Sequence, residues 1–456
     1  MILTHKAFLK AGLFIVFGIA TAIALDGAYG QSAAGSRDEH GATQVDLQIK
    51  HLEQLQQGTN PAAIPPGVDA EYWKSLIPEG NDTTPARVAL GKKLYFEKKL
   101  SLDSTVSCAT CHDVARGFGD ALPTSEGLDK KTAQGMMKQF GTRNAPTTMN
   151  IALLHTMFWD GRSPSVEHQA MQPIINPVEM GMPEKEMTII AKIKDDPTYK
   201  KMFQAAYGRD VNYKDIGNAI AVFERTFVFM DSPFSRFLKG DDSAISEDAK
   251  AGWVLFNREG RCNSCHQISP TNPLGTDNKF HNIGVAAKHQ DFAKLASQAA
   301  SILAQDSSDA KLDELALSTD MGELGRFLVT KNTSDMGSFR TPMLLNVGIT
   351  GPYMHDGSFK TLWDVIDHYN AGGEANLYLD GGIEPLNLND RQVFQLVAFL
   401  FSLTDIRFAQ QNHAEYNRQW QAAQNSRPDR DVNLATRKQL TFEKYKASSP
   451  KKGAAK

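Results

Sequence analysis

Cys108-Ala109-Thr110-Cys111-His112 decides how this chain is read, and Cys262-Asn263-Ser264-Cys265-His266 repeats it. Together the two stretches use all four cysteines of the chain. Cys-x-x-Cys-His is the attachment signature of c-type haem. Each thiol adds across a porphyrin vinyl group, the two-residue spacer matches the separation of the vinyls, and the next histidine swings under the ring to ligate iron. The expectation is two covalently bound haem c groups, held by Cys108, Cys111, Cys262 and Cys265, with His112 and His266 as iron ligands. The rivals are a zinc site and local disulfides or redox pairs. Structural zinc motifs close within a few tens of residues and need no histidine at the same offset twice. Disulfides or redox pairs stay open in an oxidising compartment.

The 456 residues leave room for two or three domains, and 41% of them are hydrophobic, enough for a large core. A net charge of -3 argues against nucleic acid as a partner. At the N-terminus, Lys6 and Lys10 precede an apolar run at 11–25, and Ala28-Tyr29-Gly30 offers a small-x-small cleavage site. This reads as a secretory signal, since the run is short for the ~20 residues of a membrane span. A cleaved signal and a periplasmic location suit the haem reading, because c-type attachment is completed outside the cytoplasm.

Residues 31–84 read as a mobile leader and linker, with a short helix around 45–55. Apolar residues at helical spacing after Pro85 lead to the first motif, and a helix starting at Ser246 leads to the second. A helix followed by Cys-x-x-Cys-His occurs twice, so the expected fold is mainly α, with two cytochrome c-like haem domains at 85–240 and 241–406. No alternating strand run stands out. The Ala/Ser/Asp-rich insertion at 286–317 reads as a surface helix pair. The last part, 407–456, reads as a polar C-terminal extension.

Further blocks carry a resemblance: Arg143-Asn144-Ala-Pro-Thr, the run from Phe158-Trp159-Asp-Gly-Arg162 to Glu179-Met180, and Gly351-Pro352-Tyr353-Met354-His355-Asp356-Gly357. In their order and spacing, residues 85–405 resemble the bacterial dihaem cytochrome c peroxidases and their relative MauG, the methylamine dehydrogenase maturation enzyme. The resemblance implies that Glu179 is the distal acid–base carboxylate at the peroxidatic haem, Gln169 the amide that orients peroxide, and Trp159 the aromatic group between the haems. Splitting an O–O bond needs a group that takes a proton from one oxygen and returns it to the other, which a partly buried carboxylate can do. Asn144, Thr350 and Pro352 match the family's calcium ligands, oxygen donors suited to a hard cation. Homodimers occur in the family.

Two departures bear on the branch. The position of the peroxidases' loop histidine holds Met136, and no histidine occurs between 113 and 154. The first haem is therefore expected to be five-coordinate or loosely capped and to react with peroxide without prior reduction, with Met136 or Met137 as a rival weak ligand. The second haem's methionine is replaced by Tyr369, as in the MauG branch. As an anionic ligand it would lower the haem potential; His368 competes for the role but lies about 100° away round the helix. The resulting expectation is a periplasmic peroxidase reducing hydrogen peroxide to water, with electrons from a small cytochrome c or cupredoxin passing through the second haem. The alternatives are a MauG-like enzyme that oxidises a side chain of a partner protein, and a non-enzymatic dihaem electron carrier. Tyr369 and the missing loop histidine favour the MauG-like reading; the segment 257–261, which offers no aromatic stepping stone to the surface, weakens it.

Overall fold

The computed structural model describes residues 43–133, 135–287 and 291–426. The expected signal sequence, the start of the leader and the end of the C-terminal extension lie outside them. The fold is mainly α. Thr43 caps helix α1 (Gln44–Leu55) through a capping box with Asp46. Contrary to the expected mobile leader, α1 is docked: Leu52 is 1% exposed in the first core, and the Gln48 amide donates to Ala109 O inside the first motif (3.3 Å). A short apolar stripe on a mostly polar helix is what hid this from the sequence.

Helix α2 (Pro85–Tyr95) starts with proline in its first turn behind the Thr84 cap. The first motif follows. Next comes an antiparallel hairpin, β1 (Glu126–Thr132) and β2 (Gly135–Phe140), with Lys131 opposite Met136. It was not expected, because neither strand alternates apolar with polar residues. Helix α3 (Tyr213–Glu224) closes the first unit, and α4 (Glu247–Asn257), capped by Ser246, opens the second. The insertion folds as α5 (Phe292–Leu303) and α6 (Asp309–Ser318). The pair is expected in outline, but it buries more than a surface pair would: its apolar face forms a separate core with Leu324, Phe327 and Phe339. Helices α7 (Leu362–Ala371) and α8 (Asp390–Phe401) complete the second unit. Residues 409–426, expected to be part of a polar extension, form α9 (Ala409–Ser426). Its fully buried Gln419 accepts from Leu362 N (2.8 Å) and donates to Tyr353 Oη (2.7 Å).

The two units are built alike. In each, a glycine lets the opening helix cross the closing one at backbone contact. A Cβ on Gly91 of α2 would lie 1.9 Å from Ala219 O of α3, and one on Gly252 of α4 would lie 1.9 Å from Gln395 O of α8. A second set of residues recurs at one constant offset: Pro146 and Pro342, Asn150 and Asn346, Trp159-Asp160-Gly161 and His355-Asp356-Gly357, Ser165 and Thr361. Backbone geometry follows the pairing. Asn150 and Asn346, Phe158 and Met354, Gly161 and Gly357 all have left-handed φ, and the bridges Met157–Ser163 and Tyr353–Phe359 correspond. The copies also bond reciprocally: Asn144 N donates to His355 O (2.8 Å), and Arg340 N donates to Trp159 O (2.7 Å).

Candidate haem-binding and proton-transfer site

Each Cys-x-x-Cys-His motif ends a tight helical turn in which the histidine N–H returns to the first cysteine's carbonyl. Nδ1 of His112 lies 3.1 Å from Phe118 O, and Nδ1 of His266 lies 2.8 Å from Gly275 O. A ring nitrogen facing a carbonyl carries the proton, so in both residues Nε2 is left as the atom that could ligate a metal. Burial holds both imidazoles below their ordinary pKa, hence neutral. Cys108 and Cys262 pack against different cores, which keeps the two cysteine pairs apart and does not suit a shared four-cysteine zinc site. Around the second motif, Cys262, Cys265, His266 and Tyr369 line one cavity with apolar walls that include Phe256, Leu344, Ile366 and Leu400. Paired thiols, a neutral imidazole with a fixed tautomer and apolar walls are the donor set and surroundings that a haem c needs.

Glu179 sits beside the first motif. Asn176 Oδ1 accepts from Val178 N (2.9 Å) and Glu179 N (3.3 Å), turning the chain. Leu128 N of β1 donates to Val178 O (3.0 Å), and Gly127 is packed against that carbonyl where no side chain would fit. The hairpin thus pins the Glu179 segment. The Glu179 charge is felt by both Cys108 and Cys111. Burial above all, then the charge of Asp313, raises its carboxyl to about 7 against the pull of Arg162. A carboxyl poised near neutrality can both accept and return a proton. Gln169 ends the short helix Val166–Gln169 behind the Ser165 cap and is half-buried.

Trp159 donates from Nε1 to Asn144 O (2.9 Å) and lines the second motif's cavity. Tyr369 lines the same cavity, its phenol raised by burial and then by the charges of Cys262 and Cys265. His368 points elsewhere: its Nε2 lies 2.8 Å from Ile283 O. Met136 and Met137 stand on β2 at 65% and 55% exposure, directed to solvent. Asn144, Thr350 and Pro352 all line this cavity, and the Asn144 amide nitrogen donates to Leu122 O (2.9 Å), leaving Oδ1 as the acceptor on offer.

Sequence reasoning missed a buried charge cluster. Arg162 binds Asp160 (3.0 Å) and, from the insertion, Asp313 (2.5 Å); Arg143 also binds Asp160 (2.6 Å). Arg162 was visible in the Trp159-to-Met180 block, but nothing in the sequence joins it to a residue about 150 positions later.

A family model described as di-haem cytochrome c peroxidase matches residues 85–243. The methylamine utilization protein MauG of Methylorubrum extorquens is 34% identical over 328 residues, 72% of this chain and 80% of that protein. The cytochrome c551 peroxidase of Pseudomonas aeruginosa is 35% identical over 319 residues, 69% and 78% of the two chains. Among solved structures, a MauG-like protein associated with microbial copper homeostasis matches with a TM-score of 0.58 at 27% identity, over 76% of this chain and 95% of that one.

Proposed function

Since the chain belongs to the di-haem cytochrome c peroxidase family, an oxidoreductase family acting on hydrogen peroxide through two c-type haems, we propose that it is a periplasmic peroxidase whose proton-transfer group is Glu179. The reaction is H2O2 + 2 H+ + 2 e− → 2 H2O. When bound, the haem on His112 supplies the iron that takes up peroxide, and the haem on His266 supplies the electron store. The chain's own part is to handle protons and hold positions. Glu179 takes the proton from the near oxygen of peroxide and returns it to the far one, which leaves as water. Gln169 orients the peroxide. Trp159, hydrogen-bonded to Asn144 and lying on the wall of the second cavity, supplies the aromatic bridge between the two centres. Asn144, Thr350 and Pro352 supply oxygen donors for a calcium ion at the junction of the two units.

The observation that carries this reading is the Glu179 carboxyl, raised to about 7 beside Cys108 and Cys111. Its test is Glu179→Gln in protein carrying both haems. Stopped-flow mixing of the ferric protein with peroxide is expected to show the spectral change slowed by roughly 10²–10⁴-fold. An unchanged rate would remove Glu179 from the mechanism. An unchanged spectrum in the unaltered protein would favour a simple electron carrier.

A second reading rests on Tyr369, which lines the second cavity while His368 is engaged elsewhere. Tyrosine ligation would make the second haem a poor acceptor of electrons from a small cytochrome c or cupredoxin. The oxidising equivalents would then be drawn from a side chain of a partner protein, as in a MauG-like enzyme. Steady-state peroxide consumption with reduced cytochrome supports the peroxidase; covalent change in a co-purifying protein supports the second reading.

A further inference from the structure

Helix α6 lies along the flank of the proton-transfer site with one face turned to it. Asp309, Asp313 and Ala316, at helical spacing, meet three separate pieces of that flank. His168 Nε2, next to Gln169, is 3.3 Å from Asp309 Oδ2; Arg162 Nε donates to Asp313 Oδ1 (2.5 Å); Thr142 Oγ1 donates to Ala316 O (2.8 Å). The central contact is the buried one. The side chains of Arg162 and Asp313 are 5% and 3% exposed, the guanidinium stacks on Phe158 at 3.6 Å, and Arg162 Nη2 and Asp313 Oδ2 have no hydrogen-bond partner. An orphaned buried polar atom is costly, so a buried pair that keeps one on either side can still donate to, and accept from, a small polar molecule.

We propose that Asp313, carried in by the inserted helix pair, is a positioning residue for peroxide activation: it fixes Arg162 and offsets its charge, so that Glu179 can both take and return a proton. The proposal rests on the reading of Glu179 given above. An uncompensated guanidinium beside Glu179 would lock it as a carboxylate, able to accept a proton only at the cost of the attraction. Asp160 alone cannot compensate, because it also answers Arg143. Asp313 restores the balance. The groups acting on Glu179 are Asp313 on α6 and Arg162 on its loop; it acts in turn on Cys108 and Cys111, which become neutral thioethers once haem is attached. Asp160 and Asp309 act on Asp313.

The test uses the dihaem protein with Asp313→Asn. Two readouts are taken against pH: the rate of the spectral change with peroxide, and the infrared carbonyl band of protonated Glu179, assigned by its loss in Glu179→Gln. Both midpoints are expected to fall by roughly one pH unit, with Asp313→Glu restoring them and Asp309→Asn leaving them in place. If the asparagine variant fails to accumulate with full haem content, Asp313→Ser, neutral and small enough to admit water beside Arg162, is read instead. Midpoints that stay put in a folded, neutral variant overturn the proposal. If Glu179→Gln itself leaves the peroxide rate unchanged, the failure lies with Glu179 and not with Asp313.

Discussion

Among single residues, Glu179 and Glu224 carry the clearest pH consequences. In the proposed mechanism the base form of Glu179 accepts the peroxide proton, so the rate of reaction is expected to rise with pH through about 7, the value to which burial and Asp313 bring it. Stopped-flow rates between pH 5 and 9 check this, and Glu179→Gln should flatten the profile. Glu224 has no place in the proposed mechanism. It is 4% exposed, its Oε2 has no partner, and burial, then Glu167, raises its carboxyl to about 8. A folded value above the unfolded one gives stability that is complete at low pH and lost as pH rises towards 8. Glu224→Gln is therefore expected to raise the melting temperature at pH 8, by on the order of 2 kcal/mol in stability, and to do much less at pH 5. A scan at the two pH values decides it. At this scale the sequence could single out residues wherever chemistry demands fixed neighbours: the cysteines and histidines of the two motifs, and Glu179 as a proposed proton carrier. The Asp313 contact could not be read, because a partnership across the fold leaves no local spacing.

Among elements, the paired helix crossings are the most exposed to test. Gly91 and Gly252 each sit where a methyl group would strike a facing carbonyl. Gly91→Ala should destabilise the first unit and Gly252→Ala the second, each by about 1–3 kcal/mol, read from urea unfolding. Helix α9 makes a separate claim. Gln419→Ala would strand Leu362 N and remove the donor to Tyr353 Oη, which keeps only its own bond to Val347 O, at about 1–3 kcal/mol. Helix periods, caps and the Pro85 start were readable from the chain, since each is a local signal. The hairpin β1–β2 was not, because Lys130, Lys131, Met136 and Met137 show no two-residue alternation: what holds it is its attachment to Val178 and the buried Leu128, not an alternating apolar face. Helices α1 and α9 were undervalued for a related reason. Their anchoring groups, Gln48 and Gln419, are polar residues that composition assigns to solvent.

Across the whole molecule, the reciprocal bonds Asn144 N–His355 O and Arg340 N–Trp159 O join the two copies back to back. Trp159 gains its place beside the second cavity from that join, not from either unit alone. The duplication was half legible: the helix-and-motif repeat was plain, whereas the constant offset from Pro146–Pro342 to Ser165–Thr361 is masked by the inserted helices between the second motif and Pro342. Carried a little further, that offset sets Pro173 against Tyr369. In the second copy the helix after Thr361 runs on and delivers a phenol to the cavity. In the first, the helix after Ser165 stops at Gln169, and Pro173, which could not continue it, sits in the first turn of a new short helix, Gln172–Ile175, ahead of the Asn176 turn that leads to Glu179. A proline ring in one half and a phenol in the other thus mark where a twinned scaffold parts company with itself, the same register position ending a helix in one twin and furnishing a cavity wall in the other.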